Sequence, residues 1–562
     1  MSPARVSSRM ITFGSGTAVA AKPEDYAKST DLVKSENFGN KAAVLAQISA
    51  LGIPVPPGFS LGVAVCEDYY ARGGQLPGDT YDLLKAGIAY LERSTGMTFG
   101  SDRRPLLVSV RSGAPVSMPG VMDTVLNVGL NRDTLRGLIY MTGNPRFAWD
   151  TYRRYLESFG KIVLGYDPSE FQSALQEAMA AEGVKDESQM DFQSLKTLTE
   201  RYERIFAKDG EGKFPESVEE QLHTAAIAVI RSWSNPRAEA FRRLNLVGKA
   251  RGTAVTVQAM VYGNMGLSSG AGVAFTRNPW TGEKTLLVDF KFGAQGEDVV
   301  SGEQGAATQA DMAAAMPEIH RELQAVATKL EGHFRDMQDI EFTVQEGRLY
   351  ILQSRNGKRG PLAALRIAAD LAEEKLIVPQ EALDRLRDVP LDSIYVQRLA
   401  TGEGPIGTGI SASSGIVAGR IALTGERAEA YAGNGPVILV RETASPDDLP
   451  GIDASAGLLT ARGARTSHAA VVARQMGKVC VVNCADLTIE AKKHRCRIGK
   501  AMLGEGDLIT LDGSSGRVYA GQVPVIQERP DELLARVRQW KAMLEAGNAI
   551  GEANSRTGKH KA

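Results

Sequence analysis

A chain of several α/β and α+β domains is predicted by three features. Its 562 residues exceed what a single core organises and suggest about three or four domains. From about Asn131 to Asn245 apolar residues recur at helical period, and short apolar runs framed by glycine clusters lie on either side. Near Gly402 the texture changes to a compact, strand-rich unit of about 120 residues. Hydrophobic residues at 43% and charged residues at 23% are an ordinary soluble composition. A net charge of −1 gives no reason to expect nucleic acid or an anionic membrane as partner. No run approaches the ~18 apolar residues of a membrane helix.

Taken in order, the stretch from Asp31 to Pro57 reads as a loop and an amphipathic helix over Ala42–Leu51, stopped by G-I-P-V-P-P-G. Leu106–Val110 is a strand ending at Arg111-Ser112-Gly113. In the helical stretch Tyr152, Tyr155 and Phe159 share one face. Val255–Val261 and Gly272–Phe275 are strands around a glycine-rich connection, and Thr285–Phe290 is another. Gln338–Val344 and Leu349–Gln353 flank Glu346-Gly347-Arg348 as a β-hairpin with a three-residue loop. Pro361–Arg387 is a glycine-free helical connector. Beyond G-E-G-P-I-G-T-G come the strands Ile416–Leu423, Val437–Val440, Leu508–Leu511 and Val518–Tyr519. Pro530–Leu544 forms one amphipathic helix, and the polar, basic tail Ala546–Ala562 is expected to be disordered.

Several of these elements carry residues suited to phosphate chemistry. In A-R-G-A-R-T-S-H-A-A-V-V-A-R, a strand (Gly457–Thr460), a turn, and Thr466 or Ser467 as N-cap place His468 in the first turn of a helix. There the helix dipole favours an anion, and a neutral imidazole is a competent nucleophile. A phosphoryl group on it would be stabilised by the helix end and by Arg462 or Arg465. The same residue, taken alone, reads equally as a histidine capping its own helix. On the hairpin, period-2 alternation pairs Asp339 with Glu341 and Gln353 with Arg355 on one face, an oxygen set suited to Mg2+ or to a cross-strand salt bridge. The loop Gly263–Gly270 has little side chain and suits backbone approach to phosphates, or a plain hairpin end. It matches neither the Walker nor the Rossmann glycine pattern. Lys41 and Arg111 are cations at element ends, and Glu297 and Asp298 form an acidic pair in a glycine-framed loop. Cys66, Cys480, Cys484 and Cys496 make no disulfide framework and lack zinc-ligand spacing, so buried thiols and a reducing cytoplasm are expected.

The strings S-V-R-S-G-A-P-V-S-M-P-G-V-M-D-T-V, G-V-A-F-T-R-N-P, G-A-Q-G-E-D-V-V-S-G, M-Q-D-I-E-F-T-V, L-Q-S-R-N-G-K-R and R-T-S-H-A-A-V-V-A-R occur in that order. In this they closely resemble the pyruvate, phosphate dikinase family over nearly the whole chain. The resemblance implies an ATP-grasp nucleotide-binding domain over residues 1–360, a helical linker over 361–404, a swivelling phosphohistidine domain over 405–525, and a helix and tail over 526–562. It further implies that His468 carries the phosphate taken from ATP. AMP leaves, inorganic phosphate removes pyrophosphate, and the phosphoryl group passes to pyruvate, giving phosphoenolpyruvate. By the same resemblance Lys41, Arg111, Glu297, Asp298 and Arg355 bind ATP, and Asp339, Glu341 and Gln353 hold Mg2+. Thr466 matches a threonine whose phosphorylation silences some members.

Two departures stand out. The family reads G-G-K-G-A around the first lysine and this chain reads G-N-K-A-A, where Asn40 and Ala42 narrow the approach of backbone to phosphate. Only about forty residues follow Gly521, too few for the family's pyruvate barrel of ~250 residues. A separately encoded barrel protein is therefore the expected partner. A different acceptor served by the same carrier, or a catalytically silent ATP-binding homologue, are the competing readings.

Overall fold

The computed structural model describes residues 9–14, 34–115, 122–184, 186–208, 214–244, 251–266, 268–296, 307–400, 403–444, 448–463, 465 and 468–558. The chain forms two units, Met1–Gly266 with Arg348–Ser354, and Leu267–Gly347 with Arg355–Ala562.

In the first unit, β1 (Met10–Phe13), α1 (Ser35–Ala50), β2 (Gly58–Leu61), α2 (Val63–Ala71), α3 (Thr80–Thr95), β3 (Val108–Gly113) and β4 (Thr124–Val128) precede a run of helices. These are α4 (Arg132–Thr142), α5 (Pro145–Phe159), α6 (Pro168–Glu182), α7 (Phe192–Lys208), α8 (Val218–Arg231) and α9 (Pro236–Leu244); β5 (Ala254–Ala259) closes the series. The sheet runs β1-β2-β5-β3-β4, antiparallel throughout. The helices start where local chemistry dictates. Asn131 and Thr134 form a capping box on α4, and Asn144 caps α5 with Pro145 at its first position. Tyr152, Tyr155 and Phe159 are all buried, and Tyr155 donates to Gln221 Oε1 at 3.0 Å. One cluster joins this helical layer to Val255 and Val257 of β5.

The second unit opens with β6 (Gly270–Phe275), β7 (Leu287–Phe292), β8 (Ala307–Thr308), α10 (Gln309–Ala315), α11 (Pro317–Phe334) and β9 (Gln338–Gln345). Strands β8-β7-β6-β9 pair antiparallel in that order. The glycine-rich connection 263–270 thus joins β5 and β6, strands of different sheets, and is not a hairpin end. After β9 the turn is Glu346-Gly347 alone, both at positive φ (49° and 72°), and Arg348 begins β10 (Arg348–Asn356). The loop is one residue shorter than expected because two left-handed residues suffice to reverse a twisted pair.

The connector is two helices, α12 (Pro361–Glu373) and α13 (Pro379–Arg385), leading to β11 (Val396–Leu399). Buried Arg277, just past β6, donates to Glu331 of α11 and Glu374 beyond α12 at 2.8 and 2.9 Å. Then follow β12 (Gly407–Thr408), β13 (Ile410–Ser413), β14 (Ile416–Ala422), α14 (Gly425–Ala432), β15 (Val437–Arg441), α15 (Leu449–Ala454), β16 (Gly457–Thr460), α16 (His468–Gln475) and β17 (Val479–Val482). The small strands β18 (Leu487–Glu490), β19 (Arg495–Ile498) and β20 (Ala501–Gly504) form their own sheet, and β21 (Leu508–Asp512) and β22 (Arg517–Ala520) return to the main one. That sheet has the order β12-β22-β21-β14-β15-β16-β17-β13, with β14 to β17 parallel. Alternation sorts its side chains. Leu439, Leu458 and Cys480 pack with Ala470 and Ala473 of α16, whereas Ile438, Leu459 and Val481 pack on the other face with Cys496 and Ile498. All four cysteines are buried and free, and among the described residues no group of metal ligands forms.

The exit strand β23 (Val525–Glu528) pairs antiparallel with the entry strand β11, so the strand-rich domain is entered and left through one ribbon. Helix α17 (Asp531–Gly558) then packs Leu534 and Val537 against Leu365, Leu371 and Ile377. It corrects the expected disordered tail: the polar stretch from Ala546 is helical as far as Gly558. Extension adds one hydrogen bond per residue to a helix already nucleated by its packed first half. Among the described residues no helix is long and apolar enough to cross a membrane.

Candidate functional site

The parallel strands of the second domain fix where its chemistry sits. Such strands present loops beyond their carboxyl ends, and the helix after β16 begins there with His468. The loop leaves β16 in strand-like fashion, Ala461 N–H donating to Arg441 O at 3.0 Å and Arg462 N–H to Glu442 O at 2.9 Å. Arg462 itself is exposed and pairs with Glu442 at 3.2 Å. Arg465 points instead toward Asp289 of β7, 3.6 Å away, which is an ion pair too long for a hydrogen bond. From the last turn of α16, Arg474 Nε donates to Ala412 O at 3.1 Å and its Nη2 to Arg465 O at 2.9 Å. Both guanidiniums approach the Trp280 ring, at 5.8 Å for Arg465 and 5.5 Å for Arg474.

Opposite them lies the acidic face of the β7-β6-β9 sheet. Asp289 and Glu341 are both cross-strand partners of Val273, and Asp339 partners Phe275 two residues along, so the three carboxylates share one face. Arg355 donates through Nε to Asp339 Oδ2 at 2.8 Å, the salt bridge that was the alternative to a metal site on this hairpin. Burial pushes the Asp339 carboxyl above its ordinary range; Arg355 pulls it back and Glu341 pushes the same way as burial. Burial raises Asp289 as well, against the pull of Arg465 and Arg474. Burial also draws the Arg474 guanidinium downward, opposed by Cys480, Asp339 and Asp289. Among the described residues, Asp289 Oδ2 and Asp339 Oδ1 are buried without a hydrogen-bond partner. Acceptor oxygens of this kind fit a hard cation, and Mg2+ takes one or two carboxylates and completes its shell with phosphates.

In the first unit, Lys41 and Arg111 are set by one backbone contact. Gly39 interrupts α1 at φ 75°, ψ 154°, and the second helical segment starts there, with Asn40 N–H donating to Ala114 O at 3.0 Å. A Cβ at Gly39 would lie 2.0 Å from Gly113 O, so only glycine lets the two chains touch. Lys41 follows the break, and Arg111 sits two residues before Gly113 on β3; both are half-buried. The helix thus begins at Ser35, earlier than the expected Ala42, and Lys41 lies inside it. Gly39 makes the close contact, and the Asn40 amide beside it serves as an anchor.

Gln353 lies on β10 among the residues of the first unit. Glu297, Asp298, Thr466 and Ser467 lie outside the described residues. Asp289, Trp280 and Arg474 were not singled out by sequence. Asp289 had a signal, an acid within the alternating run L-V-D-F-K-F. Trp280 stands in a turn, and Arg474 reads as an ordinary cation at a helix C-terminus.

Fold and residues together define a class of protein: an α/β chain whose helix-rich first unit is followed by a β/α domain in which a helix begins at His468. The model of the "Pyruvate phosphate dikinase, AMP/ATP-binding domain" matches residues 74–315 and 307–375, and that of the "PEP-utilising enzyme, mobile domain" matches residues 433–516. The chain belongs to the pyruvate, phosphate dikinase family. It is 42% identical over 511 residues to pyruvate, phosphate dikinase of Clostridium symbiosum, which covers 90% of this chain and 58% of the relative. The Rhizobium meliloti (strain 1021) enzyme is 40% identical over 98% of this chain and 62% of its own length. The chloroplastic enzyme of Flaveria pringlei is 43% identical over 92% of this chain and 53% of its own length. The chain therefore spans a little over half the length of these relatives.

Proposed function

We propose that this chain takes the β-phosphoryl group of ATP onto His468. One observation carries the reading. The helix that begins at His468 lies with Arg465 and Arg474 against Trp280, beside the carboxylates of Asp289 and Asp339. A phosphoryl carrier and an acidic strand face within one unit are what transfer from a cation-bound nucleotide needs.

In the proposed reaction the neutral imidazole attacks the β-phosphorus, the bond to the α-phosphate oxygen breaks, and AMP leaves. Inorganic phosphate then attacks the γ-phosphorus, releases pyrophosphate and leaves phosphohistidine. Lys41 and Arg111 hold and orient the phosphates as point and fork donors, respectively, and Arg355 neutralises charge on the acidic face. Glu297 and Asp298 complete the nucleotide site. Asp339 and Glu341 would hold Mg2+, which when bound offsets the charge of the polyphosphate. Phosphorylation of Thr466 would set a dianion two residues from the nucleophile and repel the incoming phosphates. Onward transfer to pyruvate, giving phosphoenolpyruvate, is the proposed fate of the group.

The test is incubation of the chain with [β-32P]ATP, Mg2+ and phosphate. Acid-labile label at His468 in the parent chain and none in His468→Ala is expected. No label in the parent would overturn the reading.

A further inference from the structure

Arginine in the last turn of a helix ordinarily reaches forward to terminal carbonyls and solvent. Arg474 does the opposite: its side chain runs back toward the helix start and spans two backbone carbonyls. Ala412 O, at 3.1 Å, belongs to β13, which is fixed antiparallel to β17; Ala412 itself is fully buried. Arg465 O, at 2.9 Å, belongs to the loop three residues before His468. The titratable groups that face Arg474 are Asp289 of β7, Asp339 of β9, the buried Cys480 thiol of β17 and Arg465. The Trp280 ring covers it at 5.5 Å. Burying a guanidinium is costly unless its donors are used, and here two of them tie a strand to a loop.

Resting on the proposed role of His468, we propose that Arg474 is a positioning residue for the carrier loop: by clamping Arg465 O to Ala412 O it fixes the backbone from which His468 is presented. The planar fork matters, because two acceptors on different segments need two donors at a set angle. A lysine ammonium is a single point that serves one carbonyl well at the expense of the other.

The experiment measures single-turnover labelling of His468 by [β-32P]ATP in the full chain and in Arg474→Ala and Arg474→Lys. Displacing a reacting group by about 1 Å slows reaction by as much as ~100-fold. Labelling should therefore slow by roughly 10- to 100-fold in both variants, with the half-saturating ATP concentration unchanged. Millimolar guanidinium should restore part of the rate to Arg474→Ala, a response that a merely structural lesion would not give. Arg474→Lys keeps charge and bulk and serves if the alanine variant does not fold. Labelling within twofold of the parent, or a slower rate explained by weaker ATP saturation, overturns the proposal. Failure of the parent chain to label would instead overturn the role of His468.

Discussion

Gly39→Ala isolates what the α1 break contributes. The native φ of 75° and ψ of 154° fall in a region open to glycine alone, which costs about 1–3 kcal/mol for any other residue. The added Cβ would stand 2.0 Å from Gly113 O, more than about 1 Å inside ordinary contact, and both sides of that contact are backbone. The helical segment after Gly39 must therefore shift by about that amount and carry Lys41 with it. A displacement of this size at Lys41, the cation proposed to hold the phosphates, is expected to slow His468 labelling by about 100-fold. The control is Gly52→Ala, at φ 72° but with nothing within 4 Å of its Cβ; it shares the positive φ without the collision. Single-turnover labelling and thermal unfolding would be measured on both. Equal labelling rates in the two variants would refute the argument that the Gly39–Gly113 approach sets Lys41.

Arg277→Met should destabilise the second unit by about 3–5 kcal/mol in urea unfolding, because Glu331 and Glu374 lose a buried partner at 2.8 and 2.9 Å. Adding Glu331→Gln should return part of that loss. Asp289→Asn should raise the melting temperature at pH 7 and not at pH 3. Burial lifts this carboxyl above 3.8, so the folded state holds the extra proton between the unfolded and folded pKa values, and stability falls as pH rises through that window. The asparagine variant should lose that part of the pH dependence in melts run across the acid range.

Much of the site was legible because its signals are local. A strand, a glycine turn and an Ala/Val-rich helix announce the start at His468 within twenty letters, and the pairing of Asp339 with Arg355 follows from two strands joined by a short turn. What was missed depends on contacts distant in sequence. Asp289 matters because Arg465 and Arg474 come to it from far along the chain, and Arg474 because β13 lies beside β17. No periodicity carries such pairings. Gly39 was read as part of a motif, but its reason, the backbone of Gly113, is likewise remote. The tail misled because its polar letters describe exposure, whereas its helix is inherited from Leu534 and Val537 upstream.

The ribbon of β11 and β23 has a mechanical consequence for the domain that bears His468. Its two tethers are laced from Val396–Glu528 to Leu399–Val525, and Ala400 N–H donates to Pro524 O at 2.9 Å, so neither strap can turn without the other. Gln397 Oε1 also accepts from Ile416 N–H at 2.7 Å, which ties the straps to the first long strand of their cargo. Any travel of the domain that bears His468 is thereby confined to twisting and bending of a single two-stranded band. Lengthening one strap by a single residue would slip the lacing, turn its side chains over and misdirect the arm.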